Sequence, residues 1–205
     1  MSRIPKLVLV TDRTATRDCD LVAVVETALA AGLPAVQLRE KDLPGRPLLA
    51  LAERLRAATT RTGALLFIND RVDVAIACGA DGVHLGAASM AVDAARRLLG
   101  DRALIGVSTH APGEAAAGAD FAFFGPVWET PSKSGAQGAA RLAAAIRAAK
   151  IPVLAIGGVT PARVADVRAA GAAGVAVIRA ILAADDPGAA TRALVEGVAT
   201  IPSAD

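Results

Sequence analysis

A run of charged residues directly follows an apolar, strand-like segment in the stretch AVQLREKD. Side chains alternate between the two faces of a strand, so Gln37, Arg39 and Lys41 should share one face while Glu40 points away. Two cations on one face predict an anionic ligand. The alternative is an exposed rim of ion pairs, Arg39 with Asp42 or Glu40 with Lys41, because surface pairs of this kind are common.

A second polar pair, Asn69 and Asp70, ends the apolar run in LLFINDRVD. In one interpretation Asn69 binds a phosphate and Asp70 holds Mg²⁺, which often uses one or two carboxylates and completes its shell with water and phosphate oxygens. In the other, one of the two residues only caps a helix over residues 71–78.

Glycines follow a third apolar run in AIGGVTP, and AVIRA ends a fourth. Backbone N–H groups beside Gly158 could bind an anion, and a side chain there would hold a phosphate away from the backbone. The alternative is a tight turn before a helix that begins at Pro161.

The segment from Gly125 to Gly138 is the longest stretch without a helix or strand pattern, and such loops are often binding segments. Thr130, Ser132 and Lys133 supply hydroxyls and one cation that suit an anion. A flexible connector is the alternative.

The two histidines differ in their surroundings. His84 lies within the apolar run GVHLG, where a hydrogen-bonded core histidine is the commoner role, whereas His110 follows a strand and suits acid–base chemistry.

These residues need a scaffold that brings the ends of successive apolar runs together. Eight strands are predicted in LVLVTD, AVQLRE, ALLFIND, GVHLG, ALIGVST, FAFFGPV, PVLAIGG and GVAVIRA. Helices are predicted near residues 20–31, 46–61, 71–78, 90–99, 112–117, 138–149, 161–170 and 187–198. Strands that are apolar on both faces and alternate with helices indicate a parallel sheet.

Eight βα units predict a single-domain α/β protein, a (β/α)8 TIM barrel over residues 1–205 with its core at about 6–198. The alternative, a doubly wound sheet, should carry a glycine-rich loop after its first strand, and LVTDRT is not one. In the barrel, the polar strand ends form one catalytic rim.

The composition argues against two classes of binding partner, nucleic acids and membranes. A formal charge of +2 and five aromatic residues predict no nucleic-acid surface. Charges interrupt every apolar stretch, so we expect no membrane span and a cytoplasmic protein with two reduced cysteines. The sequence does not determine the oligomeric state and is compatible with a homo-oligomer.

The motifs VQLREKD, INDRVDVA, GADGVHLG, GVSTH, GPVWETPSK, AIGGVTP and GVAVIRAI occur in this order, and with them the chain resembles the thiamine phosphate synthase family. The resemblance covers about residues 6–198. It implies coupling of 4-amino-2-methyl-5-(hydroxymethyl)pyrimidine diphosphate to a thiazole phosphate, giving thiamine monophosphate and diphosphate.

The resemblance also implies roles for individual residues. Mg²⁺ would bind Asp70, and Arg39, Lys41 and Lys133 would stabilise the leaving diphosphate. The residues implied for the pyrimidine substrate are Gln37, Leu38, Arg39, Glu40, Lys41, Asn69, Ser108 and Lys133. Those implied for the thiazole phosphate are Thr130, Pro131, Ser132, Gly158, Ile178 and Arg179.

Two positions depart from the family pattern. The family typically reads HLGQED after the fourth strand, where its Asp is a second Mg²⁺ ligand, and this chain has Ser89 there. Arg179 stands where a small Ser is common. The first departure favours an alternative, a thiazole tautomerase with His110 as proton shuttle. A catalytically silent phosphate-binding barrel is the third hypothesis.

Overall fold

The computed structural model describes residues 4–114, 117–130 and 135–202. Eight parallel strands in this part of the chain close into a barrel in sequence order, which confirms the TIM barrel and excludes the open sheet. The strands are β1 (Leu7–Val10), β2 (Ala35–Leu38), β3 (Leu65–Asn69), β4 (Gly82–Leu85), β5 (Leu104–Thr109), β6 (Phe121–Phe124), β7 (Val153–Ile156) and β8 (Gly174–Val177). Pairing of β1 with β8, in which Leu9 lies opposite Val177, closes the sheet.

Helices pack around the barrel and connect most of its strands. They are α1 (Leu21–Ala30), α2 (Gly45–Thr62), α3 (Val72–Cys78), α4 (Val92–Leu99), α5 (Gly138–Ala148), α6 (Val164–Ala169), α7 (Arg179–Leu182) and α8 (Pro187–Ala199). Two 3₁₀ turns, Arg13–Ala15 and Pro161–Arg163, follow β1 and β7. None of these helices is long and apolar enough to cross a membrane.

The predicted helix over residues 112–117 is wrong for the described residues of that segment, which form turns between β5 and β6. Pro112 precedes Gly113, whose φ of +84° is outside the helical range. The carboxylate of Glu114 accepts hydrogen bonds from the N–H groups of His110 (2.5 Å) and Ala111 (2.8 Å). These bonds stabilise the turn that follows β5.

The barrel interior is packed with apolar side chains below the mouth. Its inner cluster consists of Val8, Val10, Ala35, Phe67, Leu104, Phe121, Phe123, Leu154 and Ala176, each at most 4% exposed. A larger apolar cluster lies between the strands and the helices. Because side chains fill the interior, the room for a ligand lies above this cluster, at the C-terminal ends of the strands.

Candidate active site

Two adjoining cavities open at the C-terminal mouth of the barrel. The first, of about 330 Å³, extends over the ends of β2 to β6, and the second, of about 570 Å³, lies over β7 and β8. The residues that line both cavities are Asp12, Thr130, Ile156, Gly157 and Ile178. Because the two share a wall, ligands in them would lie side by side.

Arg39 and Lys41 line the first cavity, on the face predicted from strand alternation. Neither side chain forms an ion pair with another residue of the described ranges. The backbone N–H of Arg39 donates to the buried Thr11 hydroxyl (2.8 Å), which anchors β2 to β1 at this level. Two cations without acidic partners beside a cavity are suited to a strongly charged anion.

The acidic residues of the same segment pair with Arg13, a residue that the sequence did not single out. Arg13 Nη1 lies 3.1 Å from Glu40 Oε2, and its guanidinium also contacts both carboxylate oxygens of Asp42. The hydrogen bond from Arg13 lowers the pKa of Asp42 below its ordinary value. The alternative ion pairs, Arg39 with Asp42 and Glu40 with Lys41, are therefore wrong.

Two residues implied for the pyrimidine substrate do not line either cavity. The Leu38 side chain is 1% exposed and packs in the outer apolar cluster between strands and helices. The Glu40 side chain is 3% exposed and holds Arg13. Both side chains point away from the mouth because they alternate with Gln37 and Arg39 along this segment. Contact of Leu38 and Glu40 with the substrate stays a prediction, and it would have to involve their backbone atoms.

A hydrogen-bonded chain joins Asp70, Asn69 and Gln37 along the wall of the first cavity. Asn69 Nδ2 donates to Asp70 Oδ2 (2.7 Å), and Gln37 Nε2 donates to Asn69 Oδ1 (3.0 Å). Because a carboxylate only accepts, it fixes the orientation of the Asn69 amide and, through it, that of Gln37. Gln37 Oε1 remains buried without a partner among the described residues, as an acceptor at the cavity.

Asp70 does not cap the helix that follows it. α3 begins after Arg71, and no side chain caps its N-terminus. The Asp70 backbone has φ = +61°, a left-handed conformation that Asp tolerates better than most residues. The residue therefore turns its carboxylate toward the cavity at some conformational cost, which is typical of functional sites.

Ser89 lies against Asp70, at the point where the family pattern predicts a second carboxylate. The Ser89 hydroxyl contacts Asp70 Oδ1 and accepts from the N–H of Gly86 (2.6 Å), which also donates to Asp70 (3.2 Å). The described residues contain no cluster of three or more His, Cys, Asp or Glu side chains that could hold a metal. Asp70 is oriented by several donors beside a cationic cavity, which fits Mg²⁺ held by one carboxylate and completed by substrate oxygens.

His84 lies at the floor of the first cavity, 2% exposed. Its Nε2 lies 3.0 Å from Ser108 Oγ, and its ring stacks on Phe123 with centroids 4.2 Å apart. Burial lowers its pKa to about 3, so the ring is neutral at physiological pH. His84 is both a core residue, as its apolar strand suggested, and part of the cavity wall.

His110 lines the same cavity from the end of β5, and its ring is held by Gly125. Its Nδ1 lies 2.6 Å from the Gly125 carbonyl oxygen, which can only accept, so Nδ1 carries a proton. Gln137 Nε2 donates to the His110 carbonyl (2.8 Å). The contact with Gly125 fixes the position of the ring. No carboxylate of the described residues is hydrogen-bonded to the ring, so none is in place to assist proton transfer.

The second cavity is lined by Gly158 and Arg179 from the predicted set, together with Arg163. No hydrogen bond from the N–H of Gly158, Arg179 or Ala180 to another described residue is present. Free N–H groups next to an arginine side chain can bind an anion such as phosphate. Pro161 does begin a 3₁₀ turn, but no described residue of this turn accepts a hydrogen bond from the Gly158 N–H.

The structure gives a steric reason for Gly158 in addition to the predicted one. A Cβ on Gly158 would lie 2.6 Å from Trp128 Cβ and 3.0 Å from the Glu129 carbonyl oxygen, and its φ is +66°. Arg163 Nη1 donates to the Gly158 carbonyl (2.6 Å) and its guanidinium lies 5.1 Å from the centre of the Trp128 ring. Gly158 therefore lets the loop after β6 pack directly against the loop after β7.

The loop after β6 reaches both cavities at Thr130. Three further predicted residues on this loop, Pro131, Ser132 and Lys133, lie outside the described residues. Trp128 packs against Arg163 and lies next to Gly158.

A closed parallel barrel with its charged and polar side chains gathered at the C-terminal mouth has the arrangement of a TIM-barrel enzyme. A family model described as thiamine monophosphate synthase (TMP-TENI) matches residues 7–181. The chain belongs to this family.

Individual relatives agree with the family match. A putative thiamine-phosphate synthase of Geobacter sulfurreducens is 55% identical over 195 residues, which cover 92% of each chain. A thiamine-phosphate synthase of Gloeobacter violaceus is 51% identical over 178 residues, 84% of this chain and 52% of that protein. The structure of thiamine phosphate pyrophosphorylase from Pyrococcus furiosus superposes with a TM-score of 0.86 at 36% identity and covers 96% of each chain.

Proposed function

We propose that this protein is a thiamine-phosphate synthase, a transferase that joins a pyrimidine methyl diphosphate to a thiazole phosphate and releases diphosphate. The observation that carries the proposal is the pair of adjoining cavities. One lies beside Arg39 and Lys41, which have no acidic partner among the described residues, and the other beside backbone N–H groups that no described residue accepts from. The family match and the relatives support the same activity. Two phosphorylated substrates need two neighbouring anion sites, and the mouth offers both.

The pyrimidine diphosphate belongs in the first cavity. Its ring would lie near His84 and Phe123, where Gln37 Oε1 can accept a hydrogen bond from an exocyclic amine. The diphosphate would extend toward Arg39 and Lys41. Charge-assisted hydrogen bonds of this type are about twice as strong as neutral ones, so the cations dominate the affinity.

Mg²⁺ fits the same end of the cavity, with Asp70 as its protein carboxylate. When bound, the ion would neutralise charge on the departing diphosphate. Asn69, Ser89 and Gly86 orient the Asp70 carboxylate by hydrogen bonds, as outer-shell groups do at metal sites. With a serine at position 89, substrate oxygens and water must supply the remaining ligands.

The thiazole phosphate belongs in the second cavity. Its phosphate would accept hydrogen bonds from the N–H groups of Gly158, Arg179 and Ala180, and the Arg179 side chain adds a positive charge. The shared wall of the two cavities includes Gly157 and Ile178, and across this wall the two rings can meet.

The reaction needs no nucleophile from the protein. The bond between the methylene carbon and the diphosphate oxygen breaks, and its electron pair leaves with diphosphate. The thiazole nitrogen then donates its lone pair to the methylene carbon. The protein stabilises the leaving charge through Arg39 and Lys41 and holds the two rings in contact, so electrostatics and positioning account for its catalysis.

The tautomerase hypothesis finds no support in the relatives, which are named as synthases. The coupling reaction contains no step in which His110 must transfer a proton. Its position in the wall of the first cavity is consistent with contact to the pyrimidine substrate.

Diphosphate release tests the proposal. Purified protein should release diphosphate and form thiamine monophosphate when both substrates and Mg²⁺ are present, and should release none when the thiazole phosphate is omitted. Folded protein without turnover would refute the synthase. Isomerisation of the thiazole phosphate alone, abolished by His110→Gln, would establish the tautomerase instead.

A further inference from the structure

His84 has one partnered and one unpartnered ring nitrogen, although both are buried. Nε2 lies 3.0 Å from Ser108 Oγ, while Nδ1 has no hydrogen-bond partner in the described part of the chain. A doubly protonated ring would leave a buried N–H without an acceptor and a buried charge without a counter-ion, so the geometry favours a neutral ring. A neutral imidazole carries one proton, so one nitrogen donates and the other only accepts.

The surroundings of Nδ1 decide which nitrogen carries the proton. A Cβ placed on Gly106 would meet Phe121 Cζ, Phe121 Cε2 and His84 Nδ1 at 2.4, 2.6 and 2.7 Å, so the edge of the Phe121 ring and Nδ1 border the same small space beside Gly106. The centres of the two rings are 6.0 Å apart. The edge of an aromatic ring carries partial positive charge, which favours a lone pair over an N–H. A buried acceptor without a partner is also commoner in proteins than a buried N–H without one. The proton therefore resides on Nε2.

The proton on Nε2 determines what Ser108 can offer a ligand. Ser108 Oγ accepts the hydrogen bond from His84, and no other described residue is hydrogen-bonded to its hydroxyl. A hydroxyl has one proton to donate, and this proton is now free for the cavity that Ser108 lines. We propose that His84 is a positioning residue that fixes the Ser108 hydroxyl as a hydrogen-bond donor to a ring nitrogen of the pyrimidine substrate.

This inference rests on the proposed function and extends it to substrate specificity. Asp70 acts through Asn69 to present Gln37 Oε1 as an acceptor, and His84 presents Ser108 as a donor. An aminopyrimidine has an amine that donates and ring nitrogens that accept. The cavity thus selects an amino-substituted ring nitrogen heterocycle over a ring in which these groups are exchanged or absent.

Nitrogen NMR tests the tautomer without reference to activity. The chain has two histidines, so the spectrum of the His110→Gln variant assigns the signals of His84. In protein with ¹⁵N-labelled histidine, Nε2 of His84 should show the shift of a protonated nitrogen and Nδ1 that of a bare one. The reverse pattern, or a doubly protonated ring, would overturn the proposal.

Substrate analogues test the effect on binding. Two pyrimidine diphosphate analogues, each with one ring nitrogen replaced by C–H, are titrated against the wild type and variants. One analogue should bind the wild type about tenfold to a hundredfold more weakly than the substrate does. Ser108→Ala and His84→Phe should bind that analogue and the substrate equally well. His84→Gln, whose amide can still donate at the Nε2 position, should restore discrimination.

Persistence of discrimination in His84→Phe would overturn the role of His84, and persistence in Ser108→Ala would overturn the role of Ser108 as the donor. If His84→Phe does not fold, the nitrogen NMR spectrum of the wild type still tests the role of His84. Equal binding of the substrate and both analogues by the wild type would also overturn it. Failure of the wild type to bind the pyrimidine diphosphate at all would instead overturn the proposed function, so the two failures are distinguishable.

Discussion

The proposed Mg²⁺ site at Asp70 predicts that a single substitution at Ser89 changes the metal dependence of diphosphate release. Ser89→Asp would place a second carboxylate where the serine hydroxyl now contacts Asp70 Oδ1. Two carboxylates about 4 Å apart repel by about 4 kcal/mol at an effective dielectric constant near 20. Because Asp70 is half-buried, screening by solvent reduces this to about 1–3 kcal/mol.

A divalent cation between the two carboxylates removes this repulsion. Since 1.4 kcal/mol corresponds to a factor of ten, the Mg²⁺ concentration for half-maximal diphosphate release should fall by about 5-fold to 100-fold. In the absence of Mg²⁺ the same repulsion should lower the free energy of unfolding by about 1–3 kcal/mol, and Mg²⁺ should restore it.

The assay is diphosphate release as a function of Mg²⁺ concentration, together with chemical unfolding with and without Mg²⁺. Ser89→Asn is the matched control, because its side chain has the same size as Asp without the charge. If Ser89→Asp and Ser89→Asn require the same Mg²⁺ concentration, the ion does not bind at Asp70 and the proposed metal site is wrong.

Three further changes have distinct expected results. Arg39→Gln should weaken binding of the pyrimidine diphosphate about tenfold to a hundredfold in a titration. The control Arg46→Gln, on the exposed side of α2, should leave binding unchanged. Equal effects of the two substitutions would show that Arg39 does not bind the diphosphate. Gly158→Ala should cost about 2–4 kcal/mol of unfolding free energy against about 1 kcal/mol for Gly63→Ala, since both have positive φ but only Gly158 meets Trp128; equal losses would contradict the packing argument. Burial lowers the pKa of His84 to about 3, so below pH 6.5 the unfolded chain takes up a proton that the folded chain does not. As the pH falls from 6.5 toward 3, the unfolding free energy of the wild type should therefore drop by up to about 1.4 kcal/mol per pH unit relative to His84→Gln, and parallel pH profiles would contradict this.

The fold was predictable because its signals are local and repeated. Each strand is a short apolar run, and buried parallel strands are apolar on both faces, so runs such as LVLV and GVAV could be recognised one at a time. The segment after β5 was predicted incorrectly as a helix because its alanines suggest one. Pro112, Gly113 and the Glu114 carboxylate form a turn there instead.

The polar rim was predictable for a related reason. All strands of a parallel barrel end at the same rim, so residues that follow them, such as Arg39, Asp70 and Ser108, must lie near one another whatever the register. Strand alternation also placed Gln37, Arg39 and Lys41 on the cavity side without knowledge of the partner strands.

The pairings within the rim could not be read from the sequence. Arg13 holds Glu40 and Asp42 across 27 to 29 residues, and His84 holds Ser108 across 24. Such contacts depend on the stagger between strands and on loop geometry, which no local pattern reports. For the same reason the sequence predicted that Gly158 belongs to the site but could not predict its close packing against Trp128.

A crystal structure of the protein with the pyrimidine diphosphate and Mg²⁺ would test the central claim most directly. Density for the diphosphate should lie in the first cavity in contact with Arg39 and Lys41, with the metal ion bound to Asp70 and to diphosphate oxygens. A diphosphate bound elsewhere on the surface, with Arg39 and Asp70 free of ligand, would contradict the proposed function and its mechanism.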